Sequence, residues 1–256
     1  MKIVRANKNG KMFFGMLDHE KIYSISGEPY SFIEYDGKCF DLKDVSLLAP
    51  VIPTKIVAVG KNYHEHALEM KEIEPTEPLL FLKPSTCVVG NLAKVYYPKI
   101  SRRLDYEGEL GVVIGKKCHF VSEREAKNVI FGYTCLNDVT ARDIQKSDPQ
   151  WTRGKSFDTF CPIGPWIETE LDPFDLEITT RLNGVIRQSS RTSFMTHNIC
   201  KLISYITRVM TLLPGDIIAT GTPAGIGTMN IGDSVEVEIE GIGILKNTIA
   251  GEDEIL

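Results

Sequence analysis

The stretch DYEGELGVVIG, residues 105–115, places three carboxylates within five positions and then runs directly into an apolar segment that ends on glycine. If residues 108–115 form a β-strand, alternate side chains lie on one face, so Glu107 and Glu109 point the same way. Two like charges held that close repel each other. Either water or a bound cation must relieve this repulsion, and the rest of the sequence helps to decide between them.

The composition is that of an ordinary soluble globular protein. Of the 256 residues, 43% are hydrophobic and 25% charged, which fits one large domain or a core with a small appendage. With a net charge of −5, the sequence does not suggest a basic surface of the kind that binds nucleic acid. A small anionic substrate therefore needs a local positive centre from Lys, Arg or a metal. No apolar run approaches the roughly 18 residues of a membrane span, and we expect no membrane partner.

The cysteines indicate a reducing compartment. All six lie far apart without a C-x-x-C pair, so a zinc knuckle is disfavoured. The chain starts MKIVRANKNG, without an apolar signal segment, and we therefore expect a cytoplasmic protein. An even count would also permit disulfides, but we interpret the cysteines as mostly core thiols.

The chain divides into two parts. Residues 1–50 contain short strand-like runs separated by turn residues and predict a small β-rich domain. The segment LLAPVIPTK resembles a linker, and residues 51–256 form the predicted main domain. Strand signals dominate there, in the runs KIVAVG, PLLFLK, GELGVVIGK, NVIFGYTCLND, LEITTRLNG, DIIATG and DSVEVEIEGIGILKNTI.

Helix signals are fewer. Asn62 followed by Glu65 resembles a capping box and predicts a short helix to about Lys71. SEREAKNVI suggests a second short helix capped by Ser122. NICKLISYITRVMTL carries apolar residues at helical spacing, and we expect the Pro-Gly pair at 214–215 to end that helix. Strands outnumber helices and do not alternate regularly with them, so the sequence predicts a β-rich α+β fold.

An acidic set is the first candidate for chemistry. Asp138 follows the apolar run VIFGYTCL, near the end of a predicted strand, and could join Glu107 and Glu109. Oxygen ligands of this kind suit hard cations such as Mg²⁺, Mn²⁺ or Ca²⁺. The alternative is that the two glutamates are the hydrated face of an amphipathic strand, with Asp105 also facing solvent.

A second candidate is the segment KNYHEHALEM. His66 and Glu69 are three residues apart on the predicted helix and face each other across one turn. A carboxylate beside an imidazole orients the ring, which suits a general base that acts on water. The alternative is ordinary charge on a helix surface.

Cationic and glycine-rich segments complete the candidates. Lys83, Arg142 and Lys155 each sit beside turn-forming residues and could present a positive group to a substrate carboxylate. TGTPAGIG, residues 220–227, could bind an oxyanion or carboxylate through backbone N–H groups, or be a plain turn. It matches neither a P-loop nor G-x-G-x-x-G, which disfavours a nucleotide site.

Together these segments resemble the fumarylacetoacetate hydrolase family. The resemblance rests on GKNYHEHALE, FLKPST, DYEGELGVVIGK, FGYTCLNDVTARDIQ, GKSFDTFCPIGPW, LNGVIRQ and LLPGDIIATGTPAGIG, in the family's order over roughly residues 56–245. Within the family the chain is similar to the 2-hydroxyhepta-2,4-diene-1,7-dioate isomerase-like branch, which also contains acylpyruvate hydrolases and oxaloacetate decarboxylases.

The resemblance implies a fold, a cofactor and a set of site residues. The fold is a layered mixed β-sheet roll with short peripheral helices, usually a homodimer, and the cofactor is Mg²⁺, with Mn²⁺ or Ca²⁺ as alternatives. By position in the motifs, the metal ligands are Glu107, Glu109 and Asp138, the catalytic residues His66, Glu69 and Lys155, and the substrate contacts Lys83, Arg142, Gln145 and Thr222.

The implied activity is divalent-metal-dependent hydrolysis of the C–C bond of acylpyruvate-type 2,4-dioxo acids through a stabilised enolate. The same site could decarboxylate oxaloacetate. The alternative is isomerisation or decarboxylation of 2-hydroxyhepta-2,4-diene-1,7-dioate-type substrates in aromatic catabolism. In each case the partner is a small anionic 2-oxo acid.

Overall fold

Strands dominate the chain, as the sequence predicts. The computed structural model describes residues 1–70 and 75–254. The strands of the described residues are β1 (Lys2–Lys8), β2 (Lys11–Asp18), β3 (Lys21–Ile25), β4 (Tyr35–Asp41), β5 (Ser46–Leu48), β6 (Ile56–Gly60), β7 (Leu79–Lys83), β8 (Val88–Val89), β9 (Lys94–Tyr97), β10 (Leu104–Tyr106), β11 (Gly108–Ile114), β12 (Ile130–Asn137), β13 (Thr140–Ala141), β14 (Cys161–Glu168), β15 (Glu177–Leu182), β16 (Val185–Arg191), β17 (Ile217–Ala219), β18 (Gly227–Met229), β19 (Ser234–Ile239) and β20 (Gly243–Gly251). The α-helices are α1 (His64–Glu69), α2 (Arg142–Ser147), α3 (Thr152–Lys155) and α4 (Ile199–Val209). The prediction of a β-rich α+β fold is confirmed.

Two mixed sheets and one small antiparallel sheet form the body of the molecule within the described residues. The largest contains the order β4-β3-β2-β1-β14-β12-β11-β17-β6-β7, a second has the order β16-β15-β19-β20-β9, and β10 lies between β13 and β18 in the third. In the largest sheet β11 pairs antiparallel with both β12 and β17. This pairing places the start of β11 next to the end of β12, so that Gly108 lies opposite Asn137. The acidic residues of the two segments therefore meet at one edge of the sheet.

Strand β11 is central to the core. All of its residues are buried, and its side chains contribute to two different apolar clusters. Leu110 and Val112 pack into one cluster, and Val113 packs into the other. Because each fully buried aliphatic side chain contributes about 1.5–3 kcal/mol, this strand anchors the acidic residues at its start in a rigid position.

The first 50 residues extend the largest sheet. Strand β1 pairs with β14 through Lys2 opposite Glu168 and Ile3 opposite Ile167, and β2, β3 and β4 follow outward from β1. Strand β5 returns to pair with β1. The predicted division at residue 50 stays a proposal, since this segment shares a sheet with the main body.

The predicted start of helix α1 is wrong in detail. Asn62 does not cap the helix, because Tyr63 occupies the N-cap position without a side-chain bond. The buried Asn62 amide instead donates to the carbonyl oxygens of Thr220 and His197, at 2.8 and 3.0 Å. The helix ends at Glu69, and the predicted end at about Lys71 lies outside the described residues.

The other two predicted helices differ at their ends. Asn198 caps α4 by accepting the N–H of Lys201 at 3.0 Å, but the helix ends at Val209 rather than at the Pro-Gly pair. Beyond the helix, Leu212 forms a β-bridge with Cys118. In SEREAKNVI only residues 126–129 are helical, as a 3-10 turn, and Ser122 bonds Glu125 in the preceding turn.

The cysteines agree with the expectation of core thiols. All six cysteines are free, and four of them are buried, as predicted for core thiols. Within residues 1–70 and 75–254, no helix is long and apolar enough to cross a membrane. The cytoplasmic location stays a prediction.

Candidate active site

Three carboxylates converge where β11 begins and β12 ends. Glu107, Glu109 and Asp138 are buried, and one carboxylate oxygen from each lies within 4.8 Å of the others. The backbone fixes this approach, because the Asp138 N–H donates to the Glu107 carbonyl oxygen at 2.8 Å. Asn137 also accepts the Glu107 N–H through its side chain at 2.9 Å. The hydrated strand face that the sequence left open is therefore excluded for the two glutamates.

Glu109 is the uncompensated member of this set. Its carboxylate is 2% exposed and accepts the Gly221 N–H at 2.8 Å. Among the described residues no cationic side chain forms an ion pair with it. Burial, followed by the neighbouring charges of Asp138 and Glu107, raises the pKa of Glu109 well above its usual value. Within residues 1–70 and 75–254, the site thus holds a buried carboxylate without an ion-pair partner.

Cationic side chains form ion pairs with the other two carboxylates of the centre. The Lys155 ammonium donates to Glu107 at 2.7 Å and to Asp138 at 2.5 Å, and Arg142 also pairs with Glu107. Burial alone would raise the pKa of Glu107, but Lys155 and Arg142 outweigh it and hold that pKa well below its usual value. Glu107 is therefore ionised at neutral pH.

Lys83 lies behind the site. Its ammonium is buried and donates to Asp138 Oδ1 at 2.5 Å, on the opposite carboxylate oxygen from Lys155. Burial by itself would lower the pKa of Lys83, but Asp138 outweighs it and raises that pKa. Both the ammonium and its stem are enclosed and the described lining of the cleft does not include Lys83, so a contact with substrate stays a prediction. It orients and neutralises Asp138.

Asp105 is the anchor of Arg142. This carboxylate is fully buried, so the expected solvent-facing position is wrong. It accepts Arg142 Nε at 2.9 Å and Arg103 Nε at 2.9 Å. The Arg142 guanidinium then reaches Glu107 and, at 3.4 Å, the side-chain oxygen of Gln145. Arg142 lines the cleft, but most of its donors are already used within the protein.

We expect Asp105→Asn to destabilise the protein. The substitution removes the charge that two arginines share and leaves the buried Arg142 partly unpaired. Breaking one side of such a buried pair lowers the free energy of unfolding by about 3 kcal/mol. Urea denaturation should show this loss, whereas the exposed Asp158→Asn control should unfold like the wild type. Equal midpoints for Asp105→Asn and the wild type would contradict this role.

Helix α1 brings His66 into the same cleft. The imidazole is 6% exposed and lines the cleft together with the three carboxylates. Glu69 Oε2 lies 3.3 Å from His66 Nδ1, and the Glu69 carboxylate also accepts the Gly225 N–H at 3.1 Å. Glu69 stays outside the described lining of the cleft, and its catalytic role stays a prediction. Its bond to Gly225 fixes its position.

Backbone N–H groups of the loop TGTPAGIG donate hydrogen bonds to carboxylates of the protein itself. Gly221 and Gly225 have φ of +98°, a conformation that favours glycine, and their N–H groups point at Glu109 and Glu69. The sequence predicted backbone N–H groups for an oxyanion or carboxylate, and these two are already used. Thr222 lines the cleft, donates to the Gly108 carbonyl at 2.9 Å and accepts Gln188 Nε2 at 2.8 Å.

Aromatic side chains that the sequence analysis missed form one wall. Phe81 and Trp151 line the cleft and meet edge to face, with ring centroids 5.2 Å apart. The Lys155 ammonium lies 5.3 Å from the Phe81 ring, and the Lys61 ammonium 5.8 Å from the Trp151 ring. A side chain at Gly60 would collide with Trp151, which explains the glycine there. No spacing rule singles out these aromatics among the others.

The cleft thus assembles most of the predicted set. The cleft holds about 410 Å³ of space when its open mouth is included. The predicted residues that line it are His66, Glu107, Glu109, Asp138, Arg142, Gln145, Lys155 and Thr222. A buried acidic centre, a histidine with its carboxylate and an aromatic wall define an enzyme for small organic acids.

Comparisons with known proteins agree with this class. Residues 55–250 match the family profile "Fumarylacetoacetate (FAA) hydrolase C-terminal", and residues 1–50 match the profile "Rv2993c-like, N-terminal". The chain belongs to the fumarylacetoacetate hydrolase family, as the sequence motifs predict.

Named relatives cover several activities. The chain is 43% identical to a 2,4-didehydro-3-deoxy-L-rhamnonate hydrolase of a Sphingomonas species, over 77% of this chain and 73% of that protein. It is 41% identical to a mitochondrial oxaloacetate tautomerase of Bos taurus, over 80% and 70% of the two chains. Family membership therefore establishes an enzyme of this family without choosing one reaction.

Two solved structures resemble the whole chain. A 2-hydroxyhepta-2,4-diene-1,7-dioate isomerase from Mycobacterium marinum is 43% identical, with a TM-score of 0.93, over 99% of this chain and 100% of that one. A maleylpyruvate hydrolase from Sphingobium sp. SYK-6, in complex with manganese(II) and pyruvate, is 29% identical, with a TM-score of 0.82, over 98% and 99% of the two chains.

Proposed function

We propose that the protein is a divalent-metal-dependent hydrolase that cleaves the C–C bond of acylpyruvate-type 2,4-dioxo acids. The observation that carries this proposal is the buried acidic centre, with an uncompensated Glu109, in one cleft with His66. The related maleylpyruvate hydrolase, solved in complex with manganese(II) and pyruvate, supports a metal and a 2-oxo acid at such a site.

The residues fit a hard divalent cation. Asp105 pairs with Arg103 and Arg142, and Glu107 and Asp138 pair with Arg142, Lys83 and Lys155. Glu109 has no ion pair among the described residues, and the burial of a carboxylate without a positive partner is costly. Oxygen-only donors favour Mg²⁺, Mn²⁺ or Ca²⁺ over zinc. We propose Glu107, Glu109 and Asp138 as the ligands and Mg²⁺ as the ion.

The metal and the surrounding cations have complementary tasks. When bound, the divalent cation supplies a Lewis acid for the negative charge that develops on the 2-oxo group as the bond between C3 and C4 breaks. Lys155 lies at the same carboxylates and offers a positive charge to the substrate carboxylate or to the developing enolate. Gln145, oriented by Arg142, is placed to hold the substrate or water.

His66 is the proposed base for water. The imidazole faces the acidic centre across the cleft, and Glu69 holds the Nδ1 side of the ring. The Nε2 side is then available to take a proton from water that attacks the C4 carbonyl. The proton is later available for C3 of the pyruvate enolate, which completes hydrolysis to pyruvate and a carboxylic acid. The Phe81 and Trp151 wall limits the size of the acyl group.

A substrate panel tests the proposal. The metal-free protein is mixed with acetylpyruvate, oxaloacetate or the hepta-2,4-diene-1,7-dioate, with Mg²⁺, with Mn²⁺ or with a chelator, and pyruvate and CO₂ are measured separately. We expect metal-dependent release of pyruvate and acetate in equal amounts from acetylpyruvate. If the protein converts the dienedioate or enol-oxaloacetate but releases no pyruvate from acetylpyruvate, the proposed C–C hydrolysis is wrong and the reaction is isomerisation or tautomerisation.

Cytoplasmic location and the homodimer stay predictions.

Lys155→Met should separate metal affinity from turnover. The substitution keeps the apolar stem and removes a positive charge that bonds both Glu107 and Asp138. Mg²⁺ should bind about tenfold more tightly, because a competing cation has gone, while turnover falls by about 10²-fold. Titration calorimetry and steady-state kinetics measure the two effects. A parallel loss of affinity and turnover would show that Lys155 only supports the fold, and the exposed Lys116→Met is the control.

A further inference from the structure

Two cysteine side chains meet close to Lys83. Cys87 ends the 3-10 turn 85–87 that follows β7, and Cys161 is the first residue of β14. Strand β8 begins directly after Cys87 and pairs parallel with β14, with Val88 opposite Cys161. Neighbouring strands lie about 4.8 Å apart and rise about 3.3 Å per residue, so the two cysteine Cα atoms lie about 6 Å apart, a span that a disulfide can bridge.

The two thiols contact each other. Cys161 donates a hydrogen bond to the sulfur of Cys87, and Cys87 Sγ donates to the Pro84 carbonyl oxygen at 2.9 Å. The bond from Cys161 lowers the pKa of Cys87 against the effect of burial, and the Lys83 ammonium acts in the same direction. Burial, followed by the bond to Cys87, raises the pKa of Cys161 well above its usual value. Cys87 is therefore the more nucleophilic sulfur of the pair.

Enclosure determines what an oxidised sulfur of this pair can react with. Both residues are fully buried, so a thiol of another molecule cannot reach either sulfur in the folded protein. Hydrogen peroxide is close in size to water and reaches the pair through local opening of the fold. The neighbouring sulfur is then the available partner. Cys135, which is equally buried, instead donates to the Gly243 carbonyl oxygen at 3.3 Å.

We propose that Cys87 and Cys161 are a redox-active pair that closes to an intramolecular disulfide when a peroxide oxidises it. The Cys87 thiolate attacks one oxygen of hydrogen peroxide, the O–O bond breaks, and hydroxide leaves with the proton that Cys87 released, as water. The Cys161 sulfur then attacks the sulfenic acid, an S–S bond forms, and the second oxygen leaves as water with the Cys161 proton. The two thiols lose two electrons and two protons, and one peroxide becomes two water molecules.

The disulfide would join the segment that carries Lys83 to β14. It closes the loop 87–161, of 75 residues, and so restricts the unfolded chain. We expect closure to raise the melting temperature by about 10 °C. The proposal does not rest on the reaction at the acidic centre, and its test needs neither metal nor substrate.

Peptide mapping without a reducing agent tests the proposal. The full-length double variant Cys39→Ser/Cys200→Ser, which lacks the two cysteines that are not buried, is incubated with hydrogen peroxide, and the remaining thiols are alkylated in denaturant. We expect one cross-linked peptide pair that contains Cys87 and Cys161 and is lighter by two hydrogens, while the other two buried cysteines are alkylated. Dithiothreitol should restore both thiols and reverse the rise in melting temperature.

Matched variants make the outcome decisive. Cys161→Ala should show neither the cross-link nor the rise in melting temperature, and the same holds for Cys87→Ala, so the comparison does not depend on one variant. Cys135→Ala should retain both effects. The proposal is overturned by sulfinic acid at Cys87 without a cross-link, by a cross-link to another cysteine, or by an equal rise in melting temperature in Cys161→Ala. It is also overturned if both thiols stay reduced at peroxide concentrations that oxidise Cys39 of the wild type.

Discussion

We expect Glu109→Gln to abolish metal-dependent turnover and to leave the fold intact. Glutamine keeps an oxygen for the Gly221 N–H but removes the one carboxylate of the centre that lacks an ion pair among the described residues. We expect turnover of acetylpyruvate to fall by about 10³-fold or more, because the site then holds the cation poorly and loses the charge stabilisation that it provides. Steady-state pyruvate release across a Mg²⁺ titration measures the loss.

The same variant should not lose stability without metal. Burying an unpaired carboxylate is costly, so the neutral amide should leave the free energy of unfolding unchanged or raise it by up to about 2 kcal/mol. Mg²⁺ at about 100 times its Kd should stabilise the wild type by about 2.7 kcal/mol and the variant hardly at all. The exposed Glu65→Gln should match the wild type in both measurements. A fully active Glu109→Gln protein, or one that unfolds without metal, would contradict this account.

His66→Gln separates hydrolysis from decarboxylation. Only hydrolysis needs a base for water, so acetylpyruvate cleavage should fall by about 10²–10⁴-fold. Decarboxylation of oxaloacetate needs no attacking water, and its rate should stay within about tenfold of the wild type if the centre stabilises both enolates. Pyruvate from acetylpyruvate and CO₂ from oxaloacetate are measured on the same protein samples.

His64→Gln is the matched control for that experiment. It lies in the same helix, and its side chain is exposed outside the cleft. It should leave both rates near those of the wild type. Equal losses on the two substrates in His66→Gln would mean that His66 serves binding or the fold of α1, and not the activation of water.

The acidic centre was predictable because it depends on local rules. The parity of a strand places Glu107 and Glu109 on one face, and the end of the next apolar run places Asp138 at a strand terminus. Pairing of β11 with β12 then brings them together. The sequence could not assign the charges around them, since Lys83 and Asp105 reach their partners across the fold.

Tertiary contacts also explain why other predictions from local sequence patterns, such as helix ends, differ from the structure. Asn62 has the spacing of a helix cap, but its amide is used to join the start of α1 to Thr220 and His197. The sequence predicts that α4 runs to the Pro-Gly pair at 214–215, but the helix ends at Val209 and Leu212 forms a β-bridge with Cys118. Trp151 and Phe81 form a wall only after distant segments pack together, which no spacing within the sequence could indicate.

Anomalous scattering from a crystal soaked in Mn²⁺ tests the central claim most directly. We expect one strong peak within coordination distance of oxygen atoms from Glu107, Glu109 and Asp138, and its loss in crystals of Glu109→Gln. A crystal of active protein with no peak among these three carboxylates, or with the ion bound at other residues, would contradict the account.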